Sequence, residues 1–153
     1  MPEQIRIDDL RDRPERIDDV ADRLWTAWWR DGGVSLEELT GLVRESLGPS
    51  IVPSTFVAHR DGQFAGTASL IAHDMDARPH YSPWVAAVWV EADHRGSGIG
   101  SQLVRHISAL AFAAGIARLY LYCEPSKGPF YAALGWRQIE ADVDGNDIFV
   151  LDA

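Results

Sequence analysis

Trp84-Val-Ala-Ala-Val-Trp-Val90, Glu91-Ala-Asp-His94, Arg95-Gly-Ser-Gly-Ile-Gly100 and Ser101-Gln-Leu-Val-Arg-His-Ile107 follow one another without a break. The first segment is short, almost wholly apolar, rich in valine and bounded by Pro83, the composition of a buried strand. The third places glycine at 96, 98 and 100. Beyond it, apolar residues recur at Ile99, Leu103, Ile107, Leu110 and Ala111, the spacing of one helix face. Strand, glycine loop and helix start, in that order, make an anion site. Glycine lets the main chain approach a ligand closely, and the first-turn N–H groups lack helical acceptors and carry the positive end of the helix dipole. A phosphate or diphosphate is the expected guest.

The rest of the chain arranges itself around this unit. Upstream, Ile5 and Ile7 alternate with polar neighbours as a first strand. Pro14 opens a helix whose apolar residues are Ile17, Val20, Ala21, Leu24, Trp25 and Trp28. Ser35 and Glu38 form a capping box for a second helix that closes at Gly48-Pro49. Thr55 to His59 and Gln63 to Ala72 read as strands joined by the hairpin turn Asp61-Gly62, and 73–83 as a loop. Downstream, Gly115 stops the central helix, Ala117 to Cys123 is a buried strand, and Gly128 to Leu134 a short helix. Trp136 to Ala141 and Asp147 to Leu151 are strands turned at Asp144-Gly145. The expected architecture is α+β: a mostly antiparallel sheet of six to seven strands and about four helices, with one crossover helix in the middle.

At 153 residues the chain is expected to form a single domain spanning 1–153 with a substantial core. The charged start, Met1 to Arg16, does not resemble a signal peptide, and no apolar run reaches the length of a membrane span. One cysteine, Cys123, precludes an internal disulfide and suits a reducing, cytoplasmic setting. The formal charge of −9 argues against sequence-independent binding to nucleic acid and mildly favours a cationic substrate, a well-solvated acidic surface being the plainer alternative. No metal site is expected, and a homodimer stays open.

Two other glycine-loop readings fail. Gly96-x-Gly98-x-x-Ser101 approaches a dinucleotide fingerprint, with Glu124 at the next strand end. Yet its sixth position is serine, Glu91 to Arg95 separate strand from loop, and only about 30 residues follow Cys123, too few for further crossover units. A nucleoside-triphosphate loop would need Gly-Lys-Ser/Thr, which is missing.

The chain resembles the GNAT superfamily of acyl-CoA N-acyltransferases. The motif Arg/Gln-x-x-Gly-x-Gly/Ala is met by Arg95, Gly98 and Gly100, and an aromatic-Tyr-x-x-Leu-Gly-aromatic signature by Phe130, Tyr131, Leu134, Gly135 and Trp136. Both occur in order, with one helix and one strand between them. The resemblance covers nearly the whole chain and implies an acetyl-CoA-dependent N-acetyltransferase, acting on a small-molecule or protein amine by direct attack in a ternary complex. It implies that main-chain amides of Arg95, Gly96, Ser97, Gly98, Ile99, Gly100 and Ser101 hold the diphosphate of coenzyme A, and that Val88 and Val90 pair through their backbone with the pantetheine arm. Tyr131 matches the general acid that protonates the departing thiolate. The Arg95 side chain is open to two roles, charge near phosphate or support of the loop. Ala92 stands where many relatives have proline.

For the base that frees the amine, the residues offer His73, Asp74, Asp76, His80 and Glu124, and a water relay would also serve. Trp29 and Trp84 are candidates for lining the acceptor pocket, whereas Phe130 and Trp136 read as packing residues and Cys123 as a small buried hydrophobe. A second class of function remains open: a module on the same fold that senses acyl-CoA without turnover.

Overall fold

The computed structural model describes residues 4–153. In chain order the elements are β1 (Ile5–Asp9), α1 (Ile17–Leu24), α2 (Leu36–Arg44), β2 (Ser54–Arg60), β3 (Gln63–Ile71), β4 (Trp84–Val90), α3 (Ile99–Ala113), β5 (Arg118–Cys123), α4 (Gly128–Ala133), β6 (Arg137–Val143) and β7 (Asn146–Asp152). The strands form one sheet in the order β1-β2-β3-β4-β5-β7-β6. Every pairing is antiparallel except β4 with β5, the pair that α3 connects. This is the expected α+β sheet, but with two crossovers rather than one: α4 carries the chain from β5 past β7 to β6, so β7 returns antiparallel between two parallel strands.

Local sequence explains the boundaries. The Ser35 hydroxyl accepts from Glu38 N at 3.0 Å while the Glu38 carboxylate accepts from Ser35 N, so two otherwise orphaned donors of α2 are satisfied. Asp61 and Gly62 both have positive φ, 50° and 82°, the pair of values a tight two-residue hairpin demands.

The two faces of the sheet are covered differently. On one, α3 packs through Ile99, Leu103, Ile107 and Ala111, and α4 through Tyr131, onto a core that includes Phe56, Val85, Leu119, Leu121 and Phe149. On the other, α1 and α2 cover only the β1–β4 side through Val20, Leu24, Leu39 and Val43. The rest of that face is roofed by the 72–83 loop, whose Met75 packs with Trp84 and Ile148. Strand β5 serves both faces by alternation: Leu119, Leu121 and Cys123 belong to the helical side, Tyr120 and Tyr122 to the loop side. Among the described residues no helix is long and apolar enough to cross a membrane.

One glycine sets how closely α3 approaches. A Cβ at Gly66 would come within 2.8 Å of the Trp89 carbonyl and 3.2 Å of Ile99 Cγ2. Its absence lets the first residue of α3 press onto the sheet beside the end of β4.

The helix after Pro14 departs from its expected form. Residues 14–16 are a single 3₁₀ turn, and α1 passes into a π-helical turn over Trp25–Trp29. The wider turn rotates the later tryptophans off the apolar stripe. Trp25 stays half-buried and donates to the Val34 carbonyl at 2.8 Å, but Trp28 is 53% exposed and meets Trp89 edge-on at 6.0 Å.

His59 on β2 is 4% exposed and accepts at Nε2 from Arg16 Nε at 3.0 Å, while its Nδ1 has no partner. Burial, reinforced by Arg16 and Arg13, holds its pKa below the ordinary imidazole value; Asp8 and Glu15 oppose this more weakly. The unfolded chain therefore takes up this proton first. The contribution to stability is complete above about pH 6.5 and is lost as the pH falls below it. Denaturant unfolding at pH 7.5 and 5.5 is expected to show lower stability at 5.5, and His59→Gln, which keeps an acceptor without titrating, should flatten part of that slope.

Candidate active site

β4 and β5 begin as neighbours and then part. Their pairing is confined to Trp84↔Tyr120, with Tyr120 N donating to the Pro83 carbonyl at 3.0 Å. On its other edge β4 stays bound to β3, but through a bulge: Thr67 faces Trp89 and Ser69 faces Ala86, so Ala87 and Val88 together oppose Ala68. Ala87 absorbs the extra residue with φ 54°. Past the bulge, Glu91 N donates to the Ala65 carbonyl at 2.8 Å. The alternation of an antiparallel ladder then turns the main-chain groups of Val88 and Val90 away from β3, towards the parted side. Their side chains pack against the α3-side core, while Ala87 and Trp89 face α1 and α2.

The glycine loop lies at the mouth of this opening. A 3₁₀ turn over Ala92–His94 leads into it, Gly96 and Gly98 have φ 81° and 85°, and α3 starts at Ile99. The first helical bond runs from Gln102 N to the Gly98 carbonyl at 3.0 Å, and no side chain caps the helix. The N–H groups of Ile99, Gly100 and Ser101 therefore have no helical acceptor and point out of the helix end. A Cβ at Gly96 or Gly98 would meet nothing within 4 Å, so the space over both is open. Ile99, 1% exposed, anchors the helix start, and Ser97 Oγ donates to the His94 carbonyl, bracing the loop.

Arg95 folds back on the strand. Its Nε donates to the Val90 carbonyl at 2.9 Å and its guanidinium carbon lies 4.8 Å from the centroid of the Trp89 ring. Of the two roles left open for it, this geometry displays loop support, and it removes the Val90 carbonyl from the acceptors free to pair with a ligand.

Tyr131 sits in α4 on the α3 face of the sheet, half-buried against the core, with the Phe130 ring perpendicular to it at 4.9 Å. Burial pushes its hydroxyl up to about 12, and the neighbouring Cys123 sulfur adds to the shift. Gly135, at φ 95°, turns the chain so that Trp136 N returns to the Tyr131 carbonyl at 3.1 Å. Cys123 is 8% exposed and its thiol is itself raised by burial, the surroundings of an unreactive sulfur.

One expected placement is corrected. Trp84 is fully buried, with Nε1 donating to the Tyr81 carbonyl, and lines no pocket. Phe130, although 39% exposed, packs its ring on Tyr131 as expected, and its Cζ lies 3.6 Å from where a Cβ of Gly100 would stand. It borders the helix start. Trp136, 3% exposed, is a packing residue as expected. Of the base candidates, His73, Asp76, His80 and Glu124 are exposed, whereas Asp74 is half-buried and desolvation pushes its carboxyl up to about 7. Among the described residues no cluster of three or more His, Cys, Asp and Glu is placed to hold a metal ion.

Fold and site together define the class of protein: an acyltransferase. The chain belongs to the acetyltransferase (GNAT) domain family, whose model matches residues 53–138. Enzymes of this class draw the acetyl group from acetyl-CoA. Solved structures agree on the fold. An aminoglycoside 6'-N-acetyltransferase complexed with coenzyme A superposes with TM-score 0.74 at 16% identity, covering 96% of each chain. A glucosamine-6-phosphate N-acetyltransferase from Arabidopsis thaliana gives 0.65 at 18% identity, covering 94% of this chain and 97% of its own. An acetyltransferase from Streptococcus agalactiae 2603 gives 0.67 at 16%, covering 97% and 98%. A comparison with curated proteins gives no significant match.

Proposed function

We propose that residues 1–153 form one N-acetyltransferase domain that transfers acetyl from acetyl-CoA to the primary amine of a small cationic acceptor, by direct attack in a ternary complex. The observation that carries this reading is the parting of β4 from β5 beyond Trp84↔Tyr120, with an uncapped helix start at the mouth of the gap. A diphosphate fits that mouth because three outward N–H groups and the dipole of a 15-residue helix meet open space over Gly96 and Gly98. The amides of Gly96 to Ser101 grip the diphosphate; that of Arg95, expected to join them, is taken up by the Ala92 carbonyl at 3.4 Å. The main-chain groups of Val88 and the N–H of Val90 receive the pantetheine arm as a substitute strand.

Acetyl-CoA supplies a thioester, whose acyl carbon accepts a nitrogen nucleophile and whose sulfur leaves. The chain's own groups do the rest. The parted strands hold the reacting atoms in line, which removes much of the entropic cost of a bimolecular step. Tyr131, protonated at any ordinary pH, donates its phenolic proton to the departing sulfur. An amine acceptor is supported by two of the similar structures, an aminoglycoside 6'-N-acetyltransferase and a glucosamine-6-phosphate N-acetyltransferase. Its cationic character is supported by the −9 formal charge and by the acidity of the loop that carries Asp74 and Asp76.

The reading is tested by two measurements. Acetyl-CoA at about 100 times its dissociation constant is expected to raise unfolding free energy by about 2.7 kcal/mol. Free thiol is then expected to appear when a panel of primary amines is added. Stabilisation with no thiol release from any amine would favour the acyl-CoA sensor, and no stabilisation at all would overturn the cofactor assignment.

A further inference from the structure

Asp74 lies just past the end of β3, half-buried, and among the described residues it has neither a hydrogen bond nor an ion pair. Its neighbour Met75 is 9% exposed and packs on Trp84 and Ile148, which presses this part of the loop onto the sheet. The loop's own cation is committed elsewhere. Arg78 binds Glu140 of β6 at 2.6 Å, and Tyr81, whose ring stacks on Tyr120 at 4.6 Å, donates to the same carboxylate. His73 and Asp76 flank Asp74 and are exposed, and from β5 Tyr122 packs on the Met75 cluster, its hydroxyl raised by burial and further by the Asp74 charge. A half-buried carboxylate without a partner costs folding stability, and such a cost is characteristic of a group that works on a ligand.

The alternation of β5 places this carboxylate relative to the chemistry. Tyr122 faces the loop side, towards Asp74, and Cys123 faces the helical side, towards Tyr131. Asp74 and Tyr131 therefore flank one step of β5 from opposite faces of the sheet. That step lies two to three residues past Tyr120, the last residue paired with β4, where the strands have parted.

We propose that Asp74 docks the ammonium group of the acceptor and takes its proton, on the face of the sheet opposite Tyr131. This rests on the acetyl-transfer reading above and specifies the acceptor as a primary amine that arrives protonated. The ammonium gives one proton to the Asp74 carboxylate, and the freed lone pair forms the nitrogen–carbon bond. The carbon–sulfur bond breaks with its electron pair on sulfur, which takes the Tyr131 proton. The surplus nitrogen proton restores Tyr131, and Asp74 releases its own to water. The products are an amide, a free thiol and one proton.

The test uses 13C NMR of the Asp74 carboxyl in the full chain, titrated between pH 4 and 9 with and without 1,4-diaminobutane. A midpoint near neutrality that moves down when the diamine is added is expected, because an ammonium partner favours the charged form. An ordinary carboxylate midpoint, or no response to the diamine, would overturn the assignment. Asp74→Asn provides the second arm. It is expected to lower turnover at least tenfold and to remove the acid limb of the rate profile near pH 7, with the acetyl-CoA thermal shift unchanged. It should also be more stable than the parent at pH 8.5, the difference closing as the pH falls towards 4, because ionising Asp74 penalises only the folded state. An Asn variant with full turnover and the parent's rate profile sinks the proposal but leaves the transferase standing. No thiol release from the parent with any amine, alongside a diamine response at Asp74, sinks the transferase reading and leaves the docking role.

Discussion

Gly98→Val is expected to weaken acetyl-CoA binding by about 100-fold or more while the chain stays folded. Gly98 caps α3 at φ 85°, a region in which a β-branched residue is strained by its own Cβ. No neighbour would be struck, since nothing lies within 4 Å of the added Cβ. The cost to the fold is therefore the local strain alone, about 1–2 kcal/mol, within the margin of an ordinary domain. The cost to binding is larger, because the same residue aims the N–H groups that follow it. A hydrogen bond to a charged acceptor contributes about 1.5–3 kcal/mol, and misaligning two of them accounts for about two orders of magnitude in affinity. The valine methyls would also stand in the space the diphosphate needs. Calorimetric titration with acetyl-CoA, beside a far-ultraviolet dichroism spectrum, reads both effects. An unchanged dissociation constant in the folded variant would remove the glycine loop from the cofactor site.

Tyr131→Phe should lower turnover by about 10²-fold or more with little change in the Michaelis constant for acetyl-CoA, the pattern of a group that acts on the transition state. The ring is retained, so its packing against Phe130 and the α3-side core persists. Only the proton donor is lost. With the phenol pushed up to about 12, the donor form is present at every pH below that value, and Tyr131 should produce no basic limb in the rate profile in the ordinary range. Steady-state kinetics of the variant from pH 6 to 10 checks both statements. Undiminished turnover would mean that water protonates the thiolate and that Tyr131 is a packing residue.

Much of the machinery was visible as spacing. The glycine loop, the helix it opens, the capping box at Ser35 and the turns at Asp61-Gly62 and Asp144-Gly145 are local devices, written within a few consecutive residues. The same holds for the aromatic signature from Phe130 to Trp136. The proposed base was not visible in this way. His73, Asp74, Asp76, His80 and Glu124 are equivalent as letters, and only folding separates one half-buried carboxylate from four exposed groups. The two faces of β5 offered a partial signal, since Tyr120 and Tyr122 alternate with Leu119, Leu121 and Cys123.

Trp28 and Trp84 show why periodicity stops short. A regular helix would have kept Trp28 on the buried stripe, but the π turn displaces it, and nothing in Trp25-Thr-Ala-Trp-Trp29 announces that turn. Trp84 begins an exposed-looking loop-to-strand junction, yet the loop folds back over it. The bulge is a further case: Ala86-Ala87-Val88 reads as ordinary strand, and the extra residue at Ala87 is what directs Val88 and Val90 to the parted side.

By itself the sequence determined the order of elements, the glycine-rich helix start and the position of the tyrosine, because backbone conformation and apolar periodicity are short-range properties. The tertiary structure alone decided where β4 leaves β5, that Arg95 turns back onto Trp89, and that Asp74 is desolvated without a partner. Those depend on which residues distant in the chain exclude water from one another, and exclusion of water belongs to the assembled sheet and its covering loop.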